Sequence, residues 1–186
     1  MRSLLHRDLI MADPFDTLGV EPRFDLDLRA LEQRHRDLSK ALHPDRYTGA
    51  PAAERRLSLG RAIDVNEAFR VLRDPIRRAE ALLRRGGAPV GETAEPAAPP
   101  ALLMEIMEVR EELSDAARAK DLAAIQRLGA MMTARQEATL KKLARAFDDA
   151  AAEPAKIGSA LPILGELRYV RRFLDEVSAL EEELAS

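Results

Sequence analysis

Residues 26–51 read LDLRALEQRHRDLSKALHPDRYTGAP, and this stretch decides the fold. Leu28, Leu31, Leu38 and Leu42 recur at helical spacings, with His35 on the same stripe, so residues 26–42 form an amphipathic helix. HPDRYTGAP then carries two prolines and a glycine and reads as a loop. A second long helix follows, from about Ala52 to Leu72, with Leu59, Ala62, Ile63, Asn66 and Phe69 as its expected inward stripe. Two helices joined by so short a loop make an antiparallel hairpin with His43-Pro44-Asp45 at its tip.

The helix leading to that tip has a second regular face. With Arg29 at zero on a helical wheel, Gln33, Arg36, Lys40 and His43 lie within about 40° of it, opposite the leucines. A charged helix face is most often simply solvated. This one runs straight into a special loop, which favours a docking surface for an acidic partner. Pro44 fixes its own φ and restricts His43, so the flanking side chains are presented to solvent. The Asp45 carboxylate can take an arginine in bidentate fashion. The plainer alternative is that Asp45 caps the loop. His35, on the core stripe, is expected to be packed and hydrogen-bonded rather than a ligand.

Outward from the hairpin, DPFDTLGV at 13–20 reads as a short helix closed by Gly19, with Phe15 and Leu18 buried. Asp74-Pro75 breaks the second long helix, and Ile76 to Arg85 restarts as a short one. Residues 1–12 read as a tail, or as a start assigned ten residues early; they are too short and too charged for a signal peptide. Residues 86–100, GGAPVGETAEPAAPP, read as a linker. Residues 101–186 read as three helices: about Pro100 to Ala119, a helix capped by Asp121 and running to about Ala150, and about Leu161 to Leu184. The stripe of the last is Leu167, Val170, Leu174, Val177 and Leu184. Short connections between long helices imply a bundle. The fold class is therefore all-α, a helical hairpin domain followed by a three-helix bundle.

Composition agrees with this and excludes several functions. Hydrophobic residues make up 46% of the 186, charged residues 33% and aromatics 4%, which suits thin Leu-and-Ala helical cores. A net charge of −3 disfavours a nucleic-acid binder. There is no cysteine, hence no disulfide, thiolate metal site or cysteine nucleophile. Nothing approaches a run of about 18 apolar residues, so no membrane span is expected. His6, His35 and His43 lack metal-site spacing, and there is no P-loop or GxSxG, so no cofactor, metal or enzymatic activity is expected.

The first helix of the C-terminal half breaks its own pattern. With Leu102 at zero, Ile106, Val109, Leu113, Ala116 and Ala117 cluster within about 60° as a bundle-facing stripe. Leu103, Met104, Met107, Glu108 and Glu111 occupy the arc from about 100° to 240°, where a polar face belongs. Either the helix is buried on two sides, or this is an exposed patch with adaptable Met and Leu and register-setting Glu. Geometry alone leaves the two even.

Residues 13–85, from DPFDTLG through HPD to NEAFRVLRDPIRRAE, resemble a J-domain. That resemblance implies that the tip and the basic helix contact the ATPase domain of a DnaK-type chaperone. Asp45 would pair with a chaperone arginine, His43 and Pro44 would help hold the contact, and Arg29, Arg36, Lys40 and Arg46 would line the interface. In the C-terminal half, LLME at 102–105, Met107-Glu108 and REEL at 110–113 resemble the first C-domain helix of the HscB family, J-proteins of iron–sulfur cluster assembly. Ala79-Glu80 and RFLD at 172–175 match as well, so similarity covers about residues 13–184. The resemblance implies a binding patch for the scaffold protein IscU at Leu103, Met104, Met107, Glu108, Glu111 and Phe173, although Phe173 also lies near the core stripe of its own helix. It further implies delivery of IscU to an HscA-type chaperone. Arg46 stands where a Lys often follows HPD, which keeps the charge, and Ala41 replaces a larger residue. The cysteine-pair motif of eukaryotic members is absent, which implies a bacterial-type member in the cytoplasm. The alternatives are a general J-protein with another client, separated by substitutions in the patch, and a J-like structural scaffold protein, against which the intact HPD argues.

Overall fold

The computed structural model describes residues 12–90 and 100–185. The tail assigned to 1–12 and the linker assigned to 86–100 therefore lie mostly outside the described residues. The chain divides into two compact units, Met1–Arg85 and Gly86–Ser186. Seven α-helices and two 3-10 turns account for most of the described residues, and none of those residues forms a strand.

In the first unit, α1 (Pro14–Leu18) begins where the Asp13 carboxylate accepts the Phe15 and Asp16 N–H groups, at 2.8 and 3.3 Å. It ends at Gly19, whose φ of 62° is the left-handed conformation that glycine adopts without strain. Asp27 caps α2 (Leu28–Ala41) in the same way, bonding to Arg29 and Ala30. After a 3-10 turn, Pro44–Tyr47, α3 (Ala52–Arg73) runs back against α2. Asp74 caps α4 (Pro75–Arg85), with Pro75 at the first helical position. Arg85 closes the unit on its own start, donating to Asp13 at 2.6 Å and to Asp16 at 3.1 Å. Those bonds, Asp13's first, hold the Arg85 guanidinium above its usual pKa.

The inward face of α3 differs from the expected one. Leu59 and Ile63 are 56% and 60% exposed; the buried residues are Ser58, Val65, Ala68 and Leu72. Both sets have helical spacing, but the second is the one turned inward, with Leu72 fully buried and Ser58 Oγ donating to the Leu42 carbonyl at 3.3 Å. Ala62 and Phe69 sit half-buried at its margin. On α2 only Leu31 is fully buried, Leu38 and Leu42 are half-buried, and Leu28 is exposed at the helix start. His35 is packed as expected, stacked on the Phe69 ring with centroids 4.2 Å apart and its Nε2 at 2.9 Å from Asn66 Oδ1.

The second unit is a three-helix bundle of α5 (Pro100–Arg118), α6 (Leu122–Ala152) and α7 (Ala160–Leu184), with a 3-10 turn, Pro154–Ser159, before α7. Asp121 caps α6 through Ala124 N–H. The pairs Glu105–Arg135, Arg135–Glu166 and Gly129–Val177 fix α6 as antiparallel to both neighbours. At Gly129 an added Cβ would stand 3.0 Å from a Val177 methyl, so α6 and α7 approach closely there and a larger residue would make Val177 shift. The core holds Leu113, Ile125, Met132, Val170, Phe173 and Val177. On α5 burial is graded: Leu113 and Ala116 are buried, while Leu102, Ile106 and Val109 are half-buried.

Candidate functional site: the hairpin tip and the outer face of α5

The tip is built by Pro44. Its ring excludes the helical region for His43, which sits extended at φ −60°, ψ 133°, and starts the 3-10 turn. The His43 ring then caps that turn: Nδ1 accepts the Asp45 N–H at 3.3 Å. The His43 carbonyl accepts the Arg46 N–H at 3.0 Å. Tyr47 Oη donates to the Ala41 carbonyl at 3.3 Å and Thr48 Oγ1 to the Asp45 carbonyl at 3.2 Å. His43 is thus the capping residue, turned partly back onto the loop rather than simply presented. The Asp45 side chain does not cap. It is 85% exposed, with Oδ2 3.5 Å from His43 Nδ1. Sequence reasoning passed over Tyr47 and Ser58, which anchor the tip to α2; each bonds the backbone of a residue far enough away that no local motif marks it.

Arg29, Arg36, Lys40 and Arg46 are all exposed, and the first three lie on the face of α2 that leads to the tip. The face is not free of acids: Arg36 lies 4.0 Å from Glu32 and bonds Gln33 at 2.8 Å, and Gln33 in turn donates to Asp37. Arg34 serves the fold instead, donating to the Leu18 carbonyl at 2.9 Å.

In the second unit, Leu103, Met104, Met107, Glu108 and Glu111 are all exposed on α5, with Met104 at 64% and Met107 at 71%. Burial on two sides is thereby excluded for this helix within its own unit. Phe173 is a correction. At 3% exposure it belongs to the core with Val170 and Val177, because its place on α7 falls inside the inward stripe. Tyr169, one turn earlier, stays half-buried beneath the Arg172 guanidinium at 4.6 Å. Arg110 on α5 reaches Glu176 on α7 at 3.3 Å. Among the described residues no three His, Cys, Asp or Glu side chains gather as a metal site, and no helix is long and apolar enough to cross a membrane.

A helical hairpin with an exposed HPD carboxylate at its tip defines a J-domain protein, and residues 13–81 match the DnaJ domain family. Residues 98–178 match the family described as the HscB C-terminal oligomerisation domain. The chain is 35% identical over 170 residues to the co-chaperone protein HscB homolog of Burkholderia multivorans, covering 91% of this chain and 94% of that one. The homolog of Burkholderia vietnamiensis is 34% identical over the same length. Among solved structures, chaperone HscB from Vibrio cholerae superposes with a TM-score of 0.79 at 29% identity, covering 92% of this chain and 99% of that chain. Human co-chaperone HscB shares the fold, with a TM-score of 0.79 at 24% identity, 90% of this chain and 81% of that chain being covered. The chain belongs to the HscB family of co-chaperones.

Proposed function

We propose that this chain stimulates ATP hydrolysis by a DnaK/HscA-type chaperone through its hairpin tip and brings an IscU-type scaffold protein to that chaperone on the outer face of α5. The activity serves iron–sulfur cluster maturation in the cytoplasm. Residues 13–85 are the J-domain, 86–100 a linker and 101–186 the client-binding domain. The protein performs no bond chemistry of its own. Tethering both partners raises the local concentration of client at the chaperone.

The observation that carries the first half is the Asp45 carboxylate, held away from the helices by the Pro44 turn and left in solvent. A carboxylate so placed takes a guanidinium bidentately. Arg29, Arg36, Lys40 and Arg46 steer and register an acidic partner surface around it. The second half rests on the exposed methionines of α5. Such side chains adapt to an apolar partner, and Glu108 and Glu111 at their margin fix the register.

The test is single-turnover ATP hydrolysis by the cognate chaperone with this protein, with and without the scaffold. The expected result is a stimulation that grows further when scaffold is added. Stimulation indifferent to the scaffold would reassign the client, leaving a J-protein that serves another substrate. No stimulation would remove the co-chaperone reading of the tip.

A further inference from the structure

Inside the bundle, three helices meet at one guanidinium. Arg135 of α6 donates from Nε to Glu166 Oε1 of α7 at 2.9 Å, and from Nη1 to Glu105 Oε1 of α5. Thr139, fully buried one turn further along α6, donates to the same Glu166 oxygen at 3.3 Å. The Arg135 side chain is 24% exposed and that of Glu166 15%, so this pair is largely out of water, while Glu105 at 53% stands at the edge of the solvent. The hydrogen bond to Glu105 is the largest of the effects that hold the Arg135 pKa above its usual value.

The site of this tether on α5 matters. Glu105 stands among Leu103, Met104, Met107 and Glu108, in the half of the helix whose inward residues Leu102, Ile106 and Val109 are only half-buried. A shallow cleft lined by Ile106, Val109, Met132, Tyr169 and Phe173 runs beneath it. Apolar packing therefore locks the other half, at Leu113 and Ala116, far better than this one. Successive residues of a helix stand about 100° apart, so a modest roll of α5 would carry Met104 and Met107 off the outer face. A guanidinium is a planar fork with fixed donor directions; held by two carboxylates on two helices, it sets an angle as well as a distance.

We propose that Arg135 is a positioning residue for partner docking: by bridging Glu105 to Glu166 it fixes the roll of the N-terminal half of α5 and so the direction in which Leu103, Met104 and Met107 face. The inference rests on the assignment of that face to the scaffold protein.

The test uses the full chain and calorimetric titration with an IscU-type scaffold, well below the unfolding midpoint. Four proteins are compared with the unaltered chain: Arg135→Met, Arg135→Lys, Met107→Asp, and Arg135→Met with Met107→Asp. Arg135→Met should weaken binding about tenfold, the range expected of a residue acting through another. Arg135→Lys keeps the charge without the fork and should fall between. In the double variant the Arg135 effect should be smaller than in the unaltered chain, because part of the contact that Arg135 aims is already lost with Met107.

Full additivity would overturn the positioning role, and so would an Arg135→Met protein of lower unfolding midpoint but unchanged affinity. If Met107→Asp itself leaves affinity unchanged, the docking assignment is what has failed. Amide hydrogen exchange of residues 102–110 then decides the positioning alone: Arg135→Met should accelerate it about tenfold relative to residues 111–118, and no acceleration overturns the role. If Arg135→Met does not fold, Glu105→Gln, altering a half-exposed side chain, replaces it throughout, with an expected loss of about threefold.

Discussion

The tip of the α2–α3 hairpin and the outer face of α5 hold side chains out to solvent by different means. At the tip, three consecutive residues do the work locally. The Pro44 ring sets the turn, the His43 ring caps it and Asp45 is left with its carboxylate in water. On α5 no local device exists. Leu103, Met104, Met107, Glu108 and Glu111 are spread over more than two turns, and what points them outward is the packing of Val109, Leu113 and Ala116 against α6 and α7 together with the Glu105–Arg135 bridge. The first surface depends little on its domain's core once the hairpin has formed; the second depends on the whole bundle. Charge recognition can therefore sit on a loop, whereas apolar recognition needs a rigid floor beneath it.

The largest expected effect strikes that floor. Phe173→Ala removes a buried ring from the bundle core and should destabilise the C-terminal unit by about 3–5 kcal/mol. Denaturant unfolding measures it. A loss of scaffold affinity with unchanged stability would return Phe173 to the interface and undo the contrast.

Asp45→Asn comes next. It keeps shape and removes charge at the tip, and should cut stimulation of chaperone ATP hydrolysis about a hundredfold, the range for losing one partner of a docked charge pair. Because Asp45 is exposed, the thermal midpoint should not move. Retained stimulation would mean that the tip presents something other than its carboxylate. Met107→Asp should weaken scaffold binding about tenfold, less than the tip variant, since an apolar contact spread over several side chains shares its free energy among them. Its folding stability should also stand, with Met107 71% exposed. If stability falls instead, the methionine packs against the bundle and α5 is buried on two sides.

The same contrast explains what was legible in the sequence. HPD, the Asp121 cap and the breaks at Gly19 and Asp74-Pro75 are local, and each appears where the sequence places it. The unexpected apolar arc on α5 was legible as an exception to helical periodicity, but its exposure was not, because periodicity cannot say what covers a face. The inward face of α3 differs from the expected one for the same reason. Leu59 and Ile63 outweigh Val65 and Ala68 in hydrophobicity, yet it is the face of Val65, Ala68 and Leu72 that is covered. Arg135, bridging residues 30 positions before and 31 after it, leaves no signal in any short window of the sequence.

The smallest expected effect concerns the charges around the tip. Arg29 and Lys40 are exposed, and the acids Glu32 and Asp37 lie close to the same face of α2, so in the proposed docking each would act only through screened, long-range attraction. Arg29→Ala or Lys40→Ala should lower the apparent affinity for the chaperone only about two- to fivefold, mostly by slowing association. The effect should vanish as ionic strength rises, since the screening length falls to about 3 Å near 1 M salt. Scaffold binding by α5, being apolar at its centre, should change little over the same range. Stopped-flow association measured for both partners across a salt series separates the two. If scaffold binding proves the more salt-sensitive, then Glu108 and Glu111 rather than the methionines carry it, and the two surfaces recognise their partners by the same physics after all.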